Sequence, residues 1–195
     1  MDRLTKRISD IIIWGGVLGW LICSRSIFPA LSLLAVFLHE IGHIIGAAFC
    51  GVTIPGFRLF TSEARLTISK ILSYEKEVVI CLLGPAFNLL SVFAALLHGG
   101  KLLGDDAWSF FATVSAALSL LNLLPLADLD GGRICYCLFA RFIGTRAATV
   151  ITAVSSFFTL FCLWSISVYI LLRTDGSPSL FLFSASLFWR LFSKK

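Results

Sequence analysis

The chain alternates long apolar runs with short charged clusters, and the runs are too long for the core of a small soluble domain. Charged residues gather at Met1 to Asp10, Arg58 to Glu77, Lys101 to Asp106, Arg133 to Arg146, Arg173 to Asp175 and Arg190 to Lys195. Between them lie six apolar segments: Ile11 to Cys23, Phe28 to Cys50, Val78 to Leu97, Ala107 to Leu124, Ala147 to Leu172 and Ser179 to Phe192. A helix needs roughly 20 residues to cross the hydrocarbon core of a bilayer, so these read as membrane spans, the first and last being short. Arg3, Lys6 and Arg7 before a short apolar run give the first segment the look of a secretory signal, but no convincing small-residue cleavage site follows. It is read as a span, tilted or partly interfacial. The expected fold is an all-α integral membrane protein with about six transmembrane helices.

One polar stretch breaks from this pattern. From Glu63, the residues Glu63, Arg65, Thr67 and Ser69 alternate with Ala64, Leu66 and Ile68, which is the two-residue period of a strand. The run Phe57 to Phe60 precedes it across the turn-like Thr61 and Ser62. A small membrane-associated β-hairpin is therefore expected between the second and third spans.

Composition agrees with the pattern, with 58% hydrophobic and only 14% charged residues. The net charge of +5 does not point to nucleic acid, because the basic residues flank apolar segments and form no single basic face. Under the positive-inside rule, both termini, the loop with Arg58, Arg65, Lys70 and Lys76, and the loop with Arg133, Arg141 and Arg146 face the cytoplasm. An even number of spans satisfies this. The six cysteines, Cys23, Cys50, Cys81, Cys135, Cys137 and Cys162, sit mostly within or at the ends of apolar segments without a disulfide-type spacing, and read as small hydrophobes.

Chemistry enters in the second span, which reads FLHEIGHIIG. The HExxH spacing puts His39 and His43 on one face of a helix, where both imidazoles can reach one ion, with Glu40 beside them. In soluble proteins such a match is often incidental. Here an ionisable residue near the bilayer centre costs from about 2.5 kcal/mol upward, so three within five residues require a reason. A catalytic zinc takes three protein ligands and keeps a fourth position for water, whose proton a neighbouring carboxylate can accept and later return to a leaving amine.

The third ligand has to come from another segment. His98 follows the third span on the outer side, away from the motif. Asp128 and Asp130 both stand at the cytoplasmic end of the fourth span, within NLLPLADLDGGR, and depth alone admits either. Pro125 breaks the helix three residues after Asn122, and Gly131 with Gly132 allows a sharp turn after Asp130. Irregular backbone at that depth is tolerated only where protein or water surrounds it, and a hydrolytic site needs water. In the third span, GPAFN combines small residues suited to close helix approach with Asn88, a polar group in need of a partner. Asn88 reads as packing or as support for the site; Asn122 reads as a group near the substrate backbone or oxyanion.

Taken in order, HEIGH, GPAFN and NLLPLADLDGG resemble the site-2 protease family of intramembrane zinc metalloproteases, over residues from about Leu31 to Arg133. The resemblance implies zinc as cofactor and His39, His43 and Asp130 as its ligands, so that it selects Asp130 over Asp128. It also implies Glu40 as general acid/base and Asn122 in the loop near the substrate. The small size and the lack of a PDZ insertion resemble the sporulation stage IV FB branch. That branch implies a multi-pass protein of the bacterial cytoplasmic membrane or outer forespore membrane, regulatory membrane proteins as partners and a precursor sigma factor as substrate. The branch usually carries a CBS domain, which this sequence lacks. The expectation is a single polytopic metalloprotease domain over 1–195, with a catalytic core at about 28–133. It would cleave membrane-spanning or membrane-associated proteins, which the hairpin could receive by strand addition. The rival reading is a metal-binding transporter or a catalytically silent membrane scaffold.

Overall fold

In the computed structural model, residues 26–52, 73–98, 104–174, 181 and 184–188 are described. The long helices among them are α1 (Phe28–Phe49), α2 (Tyr74–His98), α3 (Asp105–Asn122), α4 (Asp130–Ile143) and α5 (Thr145–Thr174); no strand occurs among the described residues. The expected first span, the hairpin at Phe57 to Ser69, most of the last span and the side chain of His98 lie outside them. The chain divides into two compact units, up to Leu120 and from Leu121 onward.

In the first unit, α1 begins with Pro29 in its first turn, where a missing N–H and a fixed φ cost nothing. It ends on Gly51 at φ 66°. The Gly51 amide donates to the Ala48 carbonyl at 3.0 Å and the Val52 amide to the Ala47 carbonyl at 2.8 Å, a glycine-terminated Schellman cap. The Lys76 ammonium then donates to the Cys50 carbonyl at 2.9 Å, tying the start of α2 to the end of α1.

The two helices meet along Gly42 and Gly46 of α1. A Cβ at Gly42 would overlap the Leu83 carbonyl, and one at Gly46 would lie 3.0 Å from the Ile80 Cα. This is a GxxxG contact, in which small residues let backbones approach where lipid supplies no hydrophobic drive. Leu31 and Ala35 of α1, Ala95 of α2, and Ala107 and Phe111 of α3 close the core of this unit. Pro85 lies inside α2, and the Ser119 hydroxyl of α3 donates to its carbonyl at 3.1 Å.

The second unit departs from the sequence expectation. The sequence pattern predicts a loop opened by glycine over Arg133 to Arg146, yet Asp130–Ile143 is a helix with both glycines in its first turn. The reason is contact. A Cβ on Gly131 would overlap the Leu123 carbonyl and one on Gly132 the Leu126 carbonyl, so the glycines seat the start of α4 against the preceding turn. The backbone reversal comes instead at Gly144, with φ 87°. Leu126, Leu160 and Leu187 form the core of this unit.

Both units are inverted relative to a soluble protein. Along α5 the buried positions include Thr152, Ser156 and Ser167, whereas Val150, Phe157, Phe158, Phe161 and Tyr169 are exposed. Likewise α3 buries Ser115 and Ser119 and exposes Leu120. Polar groups turned inward and large apolar groups turned outward suit a lipid solvent. Among the described residues, Phe28–Phe49, Tyr74–Leu97 and Thr145–Arg173 are long and apolar enough to cross a membrane; the 22-residue α1 spans about 33 Å at 1.5 Å per residue. This is a membrane protein.

Candidate metal centre

Helix α1 carries His39 and His43 one turn apart, and its packing on α2 decides how the two rings stand. His39 is 5% exposed. The Nε2 atoms of the two histidines lie 3.2 Å apart, with the ring planes at 85°. Two Nε2 ligands of a tetrahedral zinc, each about 2.05 Å from the ion, would be separated by about 3.3 Å. The pair therefore fits such an ion without rearrangement of α1.

The outer nitrogens are held as well. His43 Nδ1–H donates to the Ile80 carbonyl of α2 at 2.8 Å, which leaves the Nε2 lone pair of that ring pointing inward. Asn88 Nδ2 approaches His39 Nδ1 at 3.2 Å, and Asn88 is completely buried. Gly84 is part of the same arrangement: a Cβ there would run into Cε1 and Nε2 of the His43 ring. Glu40, next to His39, is half-buried.

In the second unit, Asn122 ends α3, Asp128 lies in the turn that follows and Asp130 opens α4. The Leu126 amide donates to the Leu124 carbonyl at 2.7 Å around Pro125, and the Leu129 amide to the Leu126 carbonyl at 2.8 Å. Leu129 is extended and Asp130 is the first residue of α4, where the helix dipole favours a carboxylate. Asp128 is exposed, and Asp130 and Asn122 are half-buried. This turn is clamped from α5. Ser156 Oγ accepts the Ala127 amide at 2.9 Å and donates to the Thr152 carbonyl at 2.6 Å, and Ser155 Oγ donates to the Pro125 carbonyl at 3.3 Å.

The sequence reading singled out His39, Glu40, His43, Asn88, Asn122, Asp128 and Asp130. Of these, His39, Glu40, His43 and Asn88 lie in the first unit, where His39 contacts both His43 and Asn88, and Asn122, Asp128 and Asp130 lie in the second. Gly42 and Gly46, the Ile80 carbonyl, the role of Gly84 beneath His43, and Ser155 and Ser156 are not among the residues that the sequence singles out. The GxxxG spacing inside an apolar run was a usable signal for the first pair; a main-chain carbonyl leaves none.

Comparison with known proteins bears on the turn before α4 and on the fold. Residues 101–165, which include the turn and Asp130, match Peptidase family M50. Over that stretch the chain is similar to the M50 peptidases. Stage IV sporulation protein FB of Bacillus subtilis is 30% identical over 114 residues, 56% of this chain and 39% of that protein. Rip3 of Mycobacterium tuberculosis, named as a candidate zinc metalloprotease, is 30% identical over 128 residues, 60% of this chain and 32% of its own length. The chain thus spans under two-fifths of the curated M50 relatives it matches. The fold is that of the solved Site-2 Protease from Methanocaldococcus jannaschii, with a TM-score of 0.61, 24% identity and coverage of 96% of this chain and 88% of that one.

Proposed function

We propose that this chain is a zinc-dependent endopeptidase that cleaves membrane-spanning or membrane-associated proteins. The observation that carries this reading is the pair of inward-facing Nε2 atoms 3.2 Å apart on an apolar helix, reinforced by the relationship to M50 peptidases. His39 and His43 would hold the ion, with Asp130 as third ligand on the strength of the family motif. Zinc, when bound, would lower the pKa of a coordinated water to about 7 and polarise the scissile carbonyl.

The chain's own residues do the rest. Glu40 Oε takes the water proton and delivers it to the leaving amine nitrogen. Asn122, in the turn before Asp130, orients the substrate backbone, which must be extended because a helix keeps its carbonyls in its own hydrogen bonds. The catalytic core is about 28–133, the chain is multi-pass with both termini in the cytoplasm, and the site opens toward the cytoplasmic half of the bilayer, in keeping with the placement of the basic loops. A precursor sigma factor of sporulation is a candidate substrate, on the similarity to the Bacillus subtilis protein.

The test is co-expression of wild type or Glu40→Gln with single-span substrates. The expected result is cleavage that falls by about 10²–10⁴-fold in Glu40→Gln while bound zinc is unchanged. Equal activity of the two would point to a transporter or scaffold.

A further inference from the structure

The contacts of the two histidines form a directed chain. His43 Nδ1–H donates to the Ile80 carbonyl, so Nε2 of that ring is an acceptor. Asn88 Nδ2 lies 3.2 Å from His39 Nδ1; with the amide turned this way, the proton of neutral His39 sits on Nε2, where it can be donated to His43 Nε2 at 3.2 Å. In this arrangement the two rings are bonded to each other and His39 has no Nε2 lone pair to offer. It also leaves Asn88 Oδ1 buried without a hydrogen-bond partner, an unfavourable state for an amide oxygen with no exposure.

We infer that Asn88 is a positioning residue that sets the tautomer of His39. Turning its amide by half a turn presents Oδ1 to Nδ1–H, moves the His39 proton from Nε2 to Nδ1, and frees both Nε2 lone pairs for one cation. The proton count is the same before and after. The buried, unpartnered Oδ1 thereby gains a donor when the ion arrives, so metal binding and the amide turn favour each other. A ligating imidazole whose other nitrogen donates to an oxygen is also more basic and better oriented. The inference rests on the metal-site reading of His39 and His43.

The chain has three histidines, so histidine-selective 15N labelling of the full chain in detergent gives six ring-nitrogen signals, assigned with His98→Gln and His43→Gln. The expected result is His39 as the Nε2–H tautomer without metal and the Nδ1–H tautomer after addition of zinc. Asn88→Asp, which can only accept, should show Nδ1–H already without metal and bind zinc at least as tightly as wild type. Asn88→Leu should bind zinc about 10–100-fold more weakly in competition with a chromophoric chelator. An Nδ1–H tautomer in metal-free wild type, or unchanged zinc affinity in Asn88→Leu, overturns the role of Asn88 and leaves the metal site standing. Wild type that takes up no zinc overturns both.

Discussion

At the scale of single residues, the polar groups that matter are those whose partners are fixed by backbone. His43 lies between the Ile80 carbonyl and the Cα of Gly84, and a methyl at position 84 would overlap the ring. Gly84→Ala should therefore displace the His43 imidazole and weaken zinc binding about 10–100-fold, as loss of other groups that orient a ligand does. Chelator competition measures this, and an unchanged circular dichroism spectrum would show that the helices persist. His39, Glu40, His43 and Asn88 were legible in the sequence because each is polar in an apolar run. The Ile80 carbonyl and the fit of Gly84 were not, because they depend on the register between α1 and α2, which no local pattern records. Residue chemistry leaves Asp128 and Asp130 both open as a third ligand, and the choice of Asp130 rests on the resemblance to the family motif alone.

At the scale of elements, contact between backbones explains both the successes and the misreading. The expected segments Phe28 to Cys50, Val78 to Leu97 and Ala147 to Leu172 contain the bulk of α1, α2 and α5, since apolar length is a strong signal. Helix α4 was missed because Gly131 and Gly132 look like a stop, and a glycine in a helix costs about 1 kcal/mol; the close seat on Leu123 and Leu126 offsets that cost. The same logic applies to the α1–α2 contact. Gly42→Val would force a side chain against the Leu83 carbonyl, which cannot rotate away, and overpacking of this kind costs about 1–3 kcal/mol; a lowered thermal midpoint in detergent checks it. Removal of the clamp on the turn before α4 is milder. Ser156→Ala takes the acceptor from the Ala127 amide, a loss of about 1 kcal/mol, and should speed hydrogen exchange of that amide with α5 left intact.

At the scale of the whole molecule, the inward serines and outward phenylalanines of α5 and the three helices long enough to cross a bilayer define where any chemistry has to happen. Water does not enter hydrocarbon unaided, so a peptidase of this kind has to surround its histidines with protein and still admit water. The buried His39 and the half-buried Glu40 of α1 are compatible with that demand. Membrane character was the most legible property, because it is written in composition and run length and survives errors in any one boundary. The central claim, a zinc peptidase acting within or beside the membrane, is tested most directly by metal removal and return. Wild-type protein and Glu40→Gln are stripped of metal, reconstituted into vesicles with a single-span substrate, and assayed for cleavage before and after one equivalent of zinc. Cleavage that is lost on stripping, returns with zinc in the wild type and stays absent in Glu40→Gln is the predicted result; cleavage indifferent to zinc, or equal in the two proteins, would contradict it.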